Sequence, residues 1–209
     1  MTNSDSPARH LRPTVPRMIK LISRSFCLIL LALATPAVQA APHIYLLDPA
    51  QSKVGFSYEF SGAPKKGQMP VKSSDMRLDL RNISASQVSV TLSAHDAKAG
   101  FIFATEAMKG PQVLHTQEFP EITFTSTKIT GSLSKAKISG KLTIRGVTRD
   151  VTLDAGLFRQ SGTDAQNRNN LVVHLTGTIN RHDFGASGFP SYVGDLITLN
   201  IQAQIDKEG

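Results

Sequence analysis

The sequence predicts an all-β fold, and three observations carry that prediction. Apolar residues recur at every second position in one segment after another: Val54, Phe56, Tyr58, Phe60; Met76, Leu78, Leu80; Val88, Val90, Leu92; Ile197, Leu199, Ile201, Ala203, Ile205. Alternation of this kind puts one greasy face and one wet face on a β-strand. Short Gly, Asn, Ser or Lys punctuation separates most of these segments, as in Arg81-Asn82, Gly131-Ser132 and Gly146. Such residues suit tight antiparallel connections. Only one interior stretch, residues 98–118, departs from the pattern. Strands with one apolar face must bury those faces against each other, as a sandwich or as a closed barrel.

The chain begins with a targeting pattern, which is set aside from the fold. Lys20 and Arg24 are followed by the nine-residue apolar run Phe26–Ala34, and Val38-Gln39-Ala40 places small residues before Ala41. The run is too short to span a bilayer. We expect residues 1–40 to be an N-terminal extension plus a cleavable signal, cut near Ala40, and the exported chain to be periplasmic. A start at Met18 would give a signal of ordinary length. The only cysteine, Cys27, falls inside this segment without a small-residue box directly before it, which argues against a lipid-modified anchor. Beyond residue 40 the chain has no cysteine, which suits an oxidising compartment. The charge of +7 also shrinks there, because five of 23 basic residues and one of 16 acidic residues precede position 41, leaving +3. No basic stripe with interleaved aromatics occurs, so nucleic acid is not expected as a partner.

Residues 41–209 are expected to form a single domain of eight strands, near 53–60, 68–80, 86–95, 121–129, 133–145, 149–158, 169–181 and 194–206. Lys65-Lys66 reads as a solvated turn before the second strand. Residues 98–118 contain Thr105–Lys109, a turn or two of helix that Gly110-Pro111 would end. Phe101, Phe103, Met108, Val113 and Leu114 make this connection apolar, as befits a cover over one end of the sheet or a packed crossover. Residues 159–170 are polar and rich in Asn and Gly, an exposed loop. Eight strands close a barrel that is either filled by side chains or wide enough for one slender ligand. Small inward residues such as Ala94, Ala155, Gly177 and Ala203 suit jigsaw packing and a tunnel wall equally.

Candidate chemistry is sparse, and no catalytic residue or metal ligand is assigned. The five histidines after residue 40 lack metal-ligand spacing. Ser187 in Gly185-Ala186-Ser187-Gly188 lacks the strand-to-helix turn that an activated serine needs. Arg181-His182-Asp183-Phe184-Gly185 ends the seventh strand. If the strand continues, Arg181 and Asp183 share a face, as a simple ion pair or as a rim that meets a polar headgroup.

Several blocks together resemble the YceI-like family of exported, lipocalin-like, polyisoprenoid-binding proteins. They are Tyr45-x-x-Asp48-x-x-x-Ser52-x-Val54-x-Phe56, Phe119-Pro120-x-Ile122-x-Phe124-x-Ser126, and Leu142–Leu153, with Asp150 where proline is common. Asn180-Arg181-x-Asp183-Phe184-Gly185 and Val193-Gly194-Asp195 complete the set, and the likeness spans roughly residues 45–205. The segment Ala99–Pro111 is similar to a subgroup of the family. The resemblance implies an extended eight-stranded antiparallel barrel whose pore takes a long isoprenoid chain, a quinone or polyprenyl lipid, with no catalysis and no other cofactor. The wall candidates are Val54, Phe56, Tyr58, Phe60, Leu78, Leu92, Phe124, Leu142, Ile144, Leu153, Val173 and Leu199. The lid and rim candidates are Phe101, Phe103, Met108, Arg181, Asp183 and Phe184. A transient membrane contact and a homodimer are compatible with this reading. The rival reading is a ligandless envelope protein that acts through its surface in stress protection or assembly.

Overall fold

The structure, a computed structural model, describes residues 42–209. The expected signal and its cleavage point near Ala40 lie outside the described residues. Nine strands follow in chain order: β1 His43–Phe60, β2 Ala63–Met69, β3 Val71–Leu78, β4 Gln87–Ser93, β5 Glu121–Ser132, β6 Lys135–Ile144, β7 Val147–Arg159, β8 Asn170–Asn180 and β9 Leu196–Lys207. Every pairing is antiparallel. Consecutive strands from β3 to β9 are neighbours, and β9 returns to β1, with Val54 opposite Ile201 and Phe56 opposite Leu199. β2 pairs with the second half of β1 (Phe56 opposite Gly67), and β3 pairs with its start (Tyr45 opposite Met76). Together β2 and β3 fill one place in the ring, so the sheet is a closed eight-stranded barrel. Closure leaves β2 as a strand laddered on one side alone, its other edge met by an isolated bridge between Gln68 and Lys98.

The boundaries differ from the expected ones for local reasons. The expected strand 68–80 is cut at Pro70, which has no N–H to give the ladder, although its carbonyl still accepts from Ser93 N at 2.9 Å. Lys65 and Lys66 lie within β2, and the turn is made instead by Ser61 and Gly62, both at positive φ (51° and 74°). β1 starts ten residues before the expected position 53. It absorbs an irregularity between Asp48 and Lys53, where the Asp48 carboxylate accepts from Ala50 N at 2.9 Å. The β5–β6 turn falls at Leu133-Ser134, two residues beyond Gly131-Ser132, which belong to β5. Arg145-Gly146, with φ of 53° and 71°, joins β6 to β7 in the left-handed geometry that matches strand twist. Instead of a tight turn at Arg81-Asn82, residues 79–86 form a longer connection with a 3-10 turn at Ile83–Ala85.

The connections at the two ends are unequal. One end carries only short or polar segments, residues 79–86, 133–134 and 160–169. The other carries residues 94–120, with helix α1 (Ile102–Lys109) ending at Gly110, and residues 181–195. α1 is one turn longer at its start than Thr105–Lys109, because Phe101 enters it from extended backbone. Two buried tyrosines tie connections to the barrel, one at each end. Tyr45 Oη donates to Arg168 O at 2.8 Å, and Tyr58 Oη donates to Ala99 O at 2.7 Å. Burial raises the pKa of both phenols, partly opposed at Tyr45 by the charge of Arg168.

Candidate functional site: an apolar bore

A cavity of about 530 Å³ runs through the barrel. Its volume falls in the range of sites that enclose a sizeable organic ligand. The wall is almost wholly apolar and draws on every strand, from Ile129, Leu133 and Leu157 at one end to Phe103 and Tyr192 at the other. Along β5 the seven-residue step from Ile122 to Ile129 corresponds to roughly 20 Å of bore. Each strand supplies alternate residues, as period 2 requires: Val54, Phe56, Tyr58 and Phe60 from β1, and Ile197, Leu199 and Ile201 from β9.

Several inward residues, among them Val54, Val90, Phe124, Val173 and Leu199, are only half-buried. They border the bore, and Phe124, Val173 and Leu199 also pack against the buried clusters beside it. Backbone spacing helps to keep the bore open. Phe56 lies flat over Gly67, where an added Cβ would come within 2.1 Å of the ring. Phe124 lies over Gly140 in the same way, at 2.5 Å. With glycine beneath them, both rings rest along the wall and leave the centre clear.

The bore is closed at one end and open at the other. At the closed end Tyr45, Met76, Leu78, Leu171, Ala203 and Ile205 form a buried cluster, and no cavity-lining residue there is exposed. Asp79 and Ser86 bring the few polar atoms. The Asp79 carboxylate accepts from Arg81 N (2.8 Å) and Asn82 N (2.9 Å), and Asp79 N donates to Ser86 Oγ (2.9 Å), which pins the connection across this end. Those backbone donors, Asn82 first, hold the carboxyl below its ordinary value. A lowered folded-state pKa stabilises the fold above the ordinary carboxylate range, and the contribution disappears as pH falls through the lowered value. We therefore expect the protection factors of the Arg81 and Asn82 amides, taken against the intrinsic exchange rate at each pH, to fall on acidification before those of the barrel strands. Asp79→Asn should show fast exchange there already at neutral pH.

The open end is bounded by aromatic rings. Phe60 meets Phe101 edge-on at 5.5 Å between centroids and stacks with Tyr192 at 6.4 Å. Phe101, Phe103, Phe189 and Tyr192 line the cavity and are also exposed, so this is its mouth. Part of the mouth is filled. Leu114 and Phe184 pack with Ala94, Ile122, Leu142 and Ile144 on the β5–β6 side.

All twelve wall candidates line the bore, as do Phe101, Phe103, Met108, Arg181 and Phe184; Asp183 does not. Phe184 is a core residue rather than a rim residue, with 1% of its surface exposed. The shared face expected for Arg181 and Asp183 does not form, because the strand stops at Asn180. The Asn180 side chain accepts from His182 N at 2.9 Å and starts a 3-10 turn, Arg181–Phe184. That turn sends Arg181 inward and leaves Asp183 exposed. Arg181 is 5% exposed and donates to four carbonyls: Gly194 O from Nε (3.0 Å), Ala186 O and Gly188 O from Nη1 (2.6 and 2.7 Å), and Val193 O from Nη2 (3.0 Å). Burial lowers its pKa, and the charge of Asp195 offsets part of the effect. Arg181 is thus a clamp on residues 186–194, the segment that carries Phe189 and Tyr192 to the mouth. Those two aromatics sit in a non-repeating loop, where period-2 reading has no purchase. Ile201 and Leu175 also line the bore and lie in alternating runs.

The chain resembles known proteins in both sequence and fold. It is 32% identical over 106 residues to Protein YceI of Salmonella arizonae and of Salmonella newport, an overlap of 51% of this chain and 55% of theirs. The overlap therefore spans about half the length of these curated relatives. Burkholderia cenocepacia BcnA is similar in structure, with a TM-score of 0.66 and 21% identity over 76% of this chain and 99% of that one. The Campylobacter jejuni YCEI protein gives 0.55 and 26% over 68% and 84%. A polyisoprenoid binding domain from Saccharophagus degradans gives 0.55 and 11% over 79% and 99%, a likeness of fold. The YceI-like domain profile matches residues 45–205, nearly the whole barrel, and the chain belongs to that family.

Proposed function

We propose that the protein is an exported, non-catalytic lipid binder that holds one long isoprenoid chain, a quinone or a polyprenyl lipid, in its bore for storage or transport in the periplasm. The observation that carries this reading is the bore itself, about 530 Å³ of apolar space closed at one end and open at the other. An isoprenoid tail has almost no solubility in water, and each buried CH₂ contributes roughly 0.8 kcal/mol. A dry tube therefore binds it without hydrogen bonds along its length, and selects by girth and length. The polyisoprenoid binding domain of Saccharophagus degradans, which shares the fold, supports the choice of ligand class. The targeting pattern of residues 1–40 supports export.

Native mass spectrometry of protein purified from its own envelope, followed by solvent extraction, tests the reading. One isoprenoid lipid per chain is the expected result. Protein that carries no lipid, and takes up none from isoprenoid quinone in detergent, would instead be the ligandless surface-acting protein.

A further inference from the structure

The mouth carries more exposed apolar surface than a water-facing loop requires. Ile102 is 71% exposed, Phe103 80% and Tyr192 59%, with Phe101 and Phe189 beside them. These residues come from two separate segments, α1 and residues 181–195, which converge only at the open end. Phe101, Phe103, Phe189 and Tyr192 also line the cavity, so the exposed patch and the bore are one continuous apolar surface. Large exposed apolar patches mark interaction surfaces.

The geometry points to this face docking on a lipid bilayer that carries anionic headgroups, with the aromatic rim inserted at the headgroup level. The inference rests on the reading of the bore as a lipid site. Two observations select a bilayer as the occupant. The patch surrounds the mouth, so whatever covers it must also pass the bore's contents, and a bilayer offers a water-free path for a chain of no aqueous solubility. Lysines flank the rim, with Lys65 and Lys66 on β2, Lys98 ahead of α1 and Lys109 as its last residue. None of the four forms an ion pair among the described residues, whereas Lys72, Lys137 and Lys141 on the barrel flanks pair with Glu121, Asp154 and Asp150. The carboxylates at the same end are Glu59, Asp96, Glu106, Glu118, Asp183 and Asp195, of which Glu118 faces His115, Asp195 faces His182 and Asp96 accepts from Ser93 Oγ. Aromatic and aliphatic side chains inserted beside unpaired lysines are the features of an interfacial anchor, and each lysine near an anionic surface adds to the attraction.

Delipidated protein is mixed with vesicles of phosphatidylglycerol and phosphatidylethanolamine, or of phosphatidylcholine alone, and the bound fraction is read by co-sedimentation. Binding to the anionic vesicles and little to the neutral ones is expected. Ile102→Ser with Phe103→Ser should lower the affinity roughly tenfold or more, since two large apolar groups no longer leave water. Lys65→Glu with Lys66→Glu should lower it by a similar factor and leave the circular dichroism spectrum unchanged. Absent binding, equal binding to both kinds of vesicle, or binding insensitive to both variants overturns the proposal. So does a dimer that the Ile102/Phe103 variant dissolves in the absence of vesicle binding. Because co-sedimentation is read without a bound isoprenoid, failure here is distinct from failure to find lipid in the purified protein.

Discussion

Under the proposed lipid-binding function, replacing Ala155 with Phe should sharply lower the lipid content of the bore. Ala155 lies on the inner face of β7, opposite Ala136 on β6 and Leu175 on β8, and lines the cavity. Two facing alanines leave free space on this stretch of wall, and a benzyl group projected from it enters the path a hydrocarbon must follow. Displacing about three CH₂-sized units, at roughly 0.8 kcal/mol each, corresponds to a loss of lipid affinity on the order of fiftyfold. The fold should tolerate the change, because the ring fills an existing void rather than a packed core, where overpacking costs about 1–3 kcal/mol. Thr152→Phe, on the outer face of the same strand, should retain lipid at the wild-type level. The measurement is the lipid-to-protein ratio after extraction, with melting temperature as the control. Undiminished lipid in Ala155→Phe would show that the chain does not run through the barrel.

Arg181→Met should be the most destabilising single change at the mouth. Among the described residues the guanidinium is bound by four carbonyls and by no carboxylate, so its removal leaves Ala186, Gly188, Val193 and Gly194 without their donor. Hydrogen bonds to a charged group contribute about 1.5–3 kcal/mol each, and relaxation of the loop recovers part of the loss, so about 3–5 kcal/mol is expected. For a chain of this size that is a fall of roughly 6–20 °C in melting temperature. Arg181→Lys should recover little. An ammonium is a compact point charge and cannot span carbonyls along residues 186–194 as a planar fork can. Amide exchange should accelerate first in residues 185–195, ahead of the strands. A melting temperature within two or three degrees of wild type would mean that the loop is held by something other than this clamp.

The wall of the bore was legible in the sequence because it is built by periodicity. A strand that closes a barrel must alternate, and alternation alone separates Val54, Phe56, Tyr58 and Phe60 from Gly55, Ser57 and Glu59. Leu153, Val173 and Leu199 follow from the same rule, and all of them line the cavity. The antiparallel eight-stranded ring was legible as well, through the spacing of the strands and the resemblance of residues 45–205. Strand ends were less so. Pro70 splits one expected strand, and the Asp48 turn hides the first ten residues of β1, because one is decided by a missing backbone donor and the other by side-chain hydrogen bonds, not by a repeat.

The mouth was the least legible part. Arg181 and Asp183 share a face only if the strand runs on. A side chain at Asn180 that accepts from His182 N turns the backbone and separates them. Phe189 and Tyr192 reach the rim because Arg181 gathers carbonyls from distant positions, a contact with no signature in residue order. Whether small inward residues meant tight packing or a tunnel was equally undecided, since Ala155 and Ala203 are compatible with both.

Taken alone, the order of residues determined that the chain folds as alternating strands, which side of each strand is apolar, and where one irregular crossover interrupts them. Those are local properties, carried by a repeat of two and by turn residues. Tertiary structure alone decided that the middle stays hollow, which end is open and what stands at its rim. Free volume depends on how side chains from all the strands meet across the axis, and a linear chain does not record that distance.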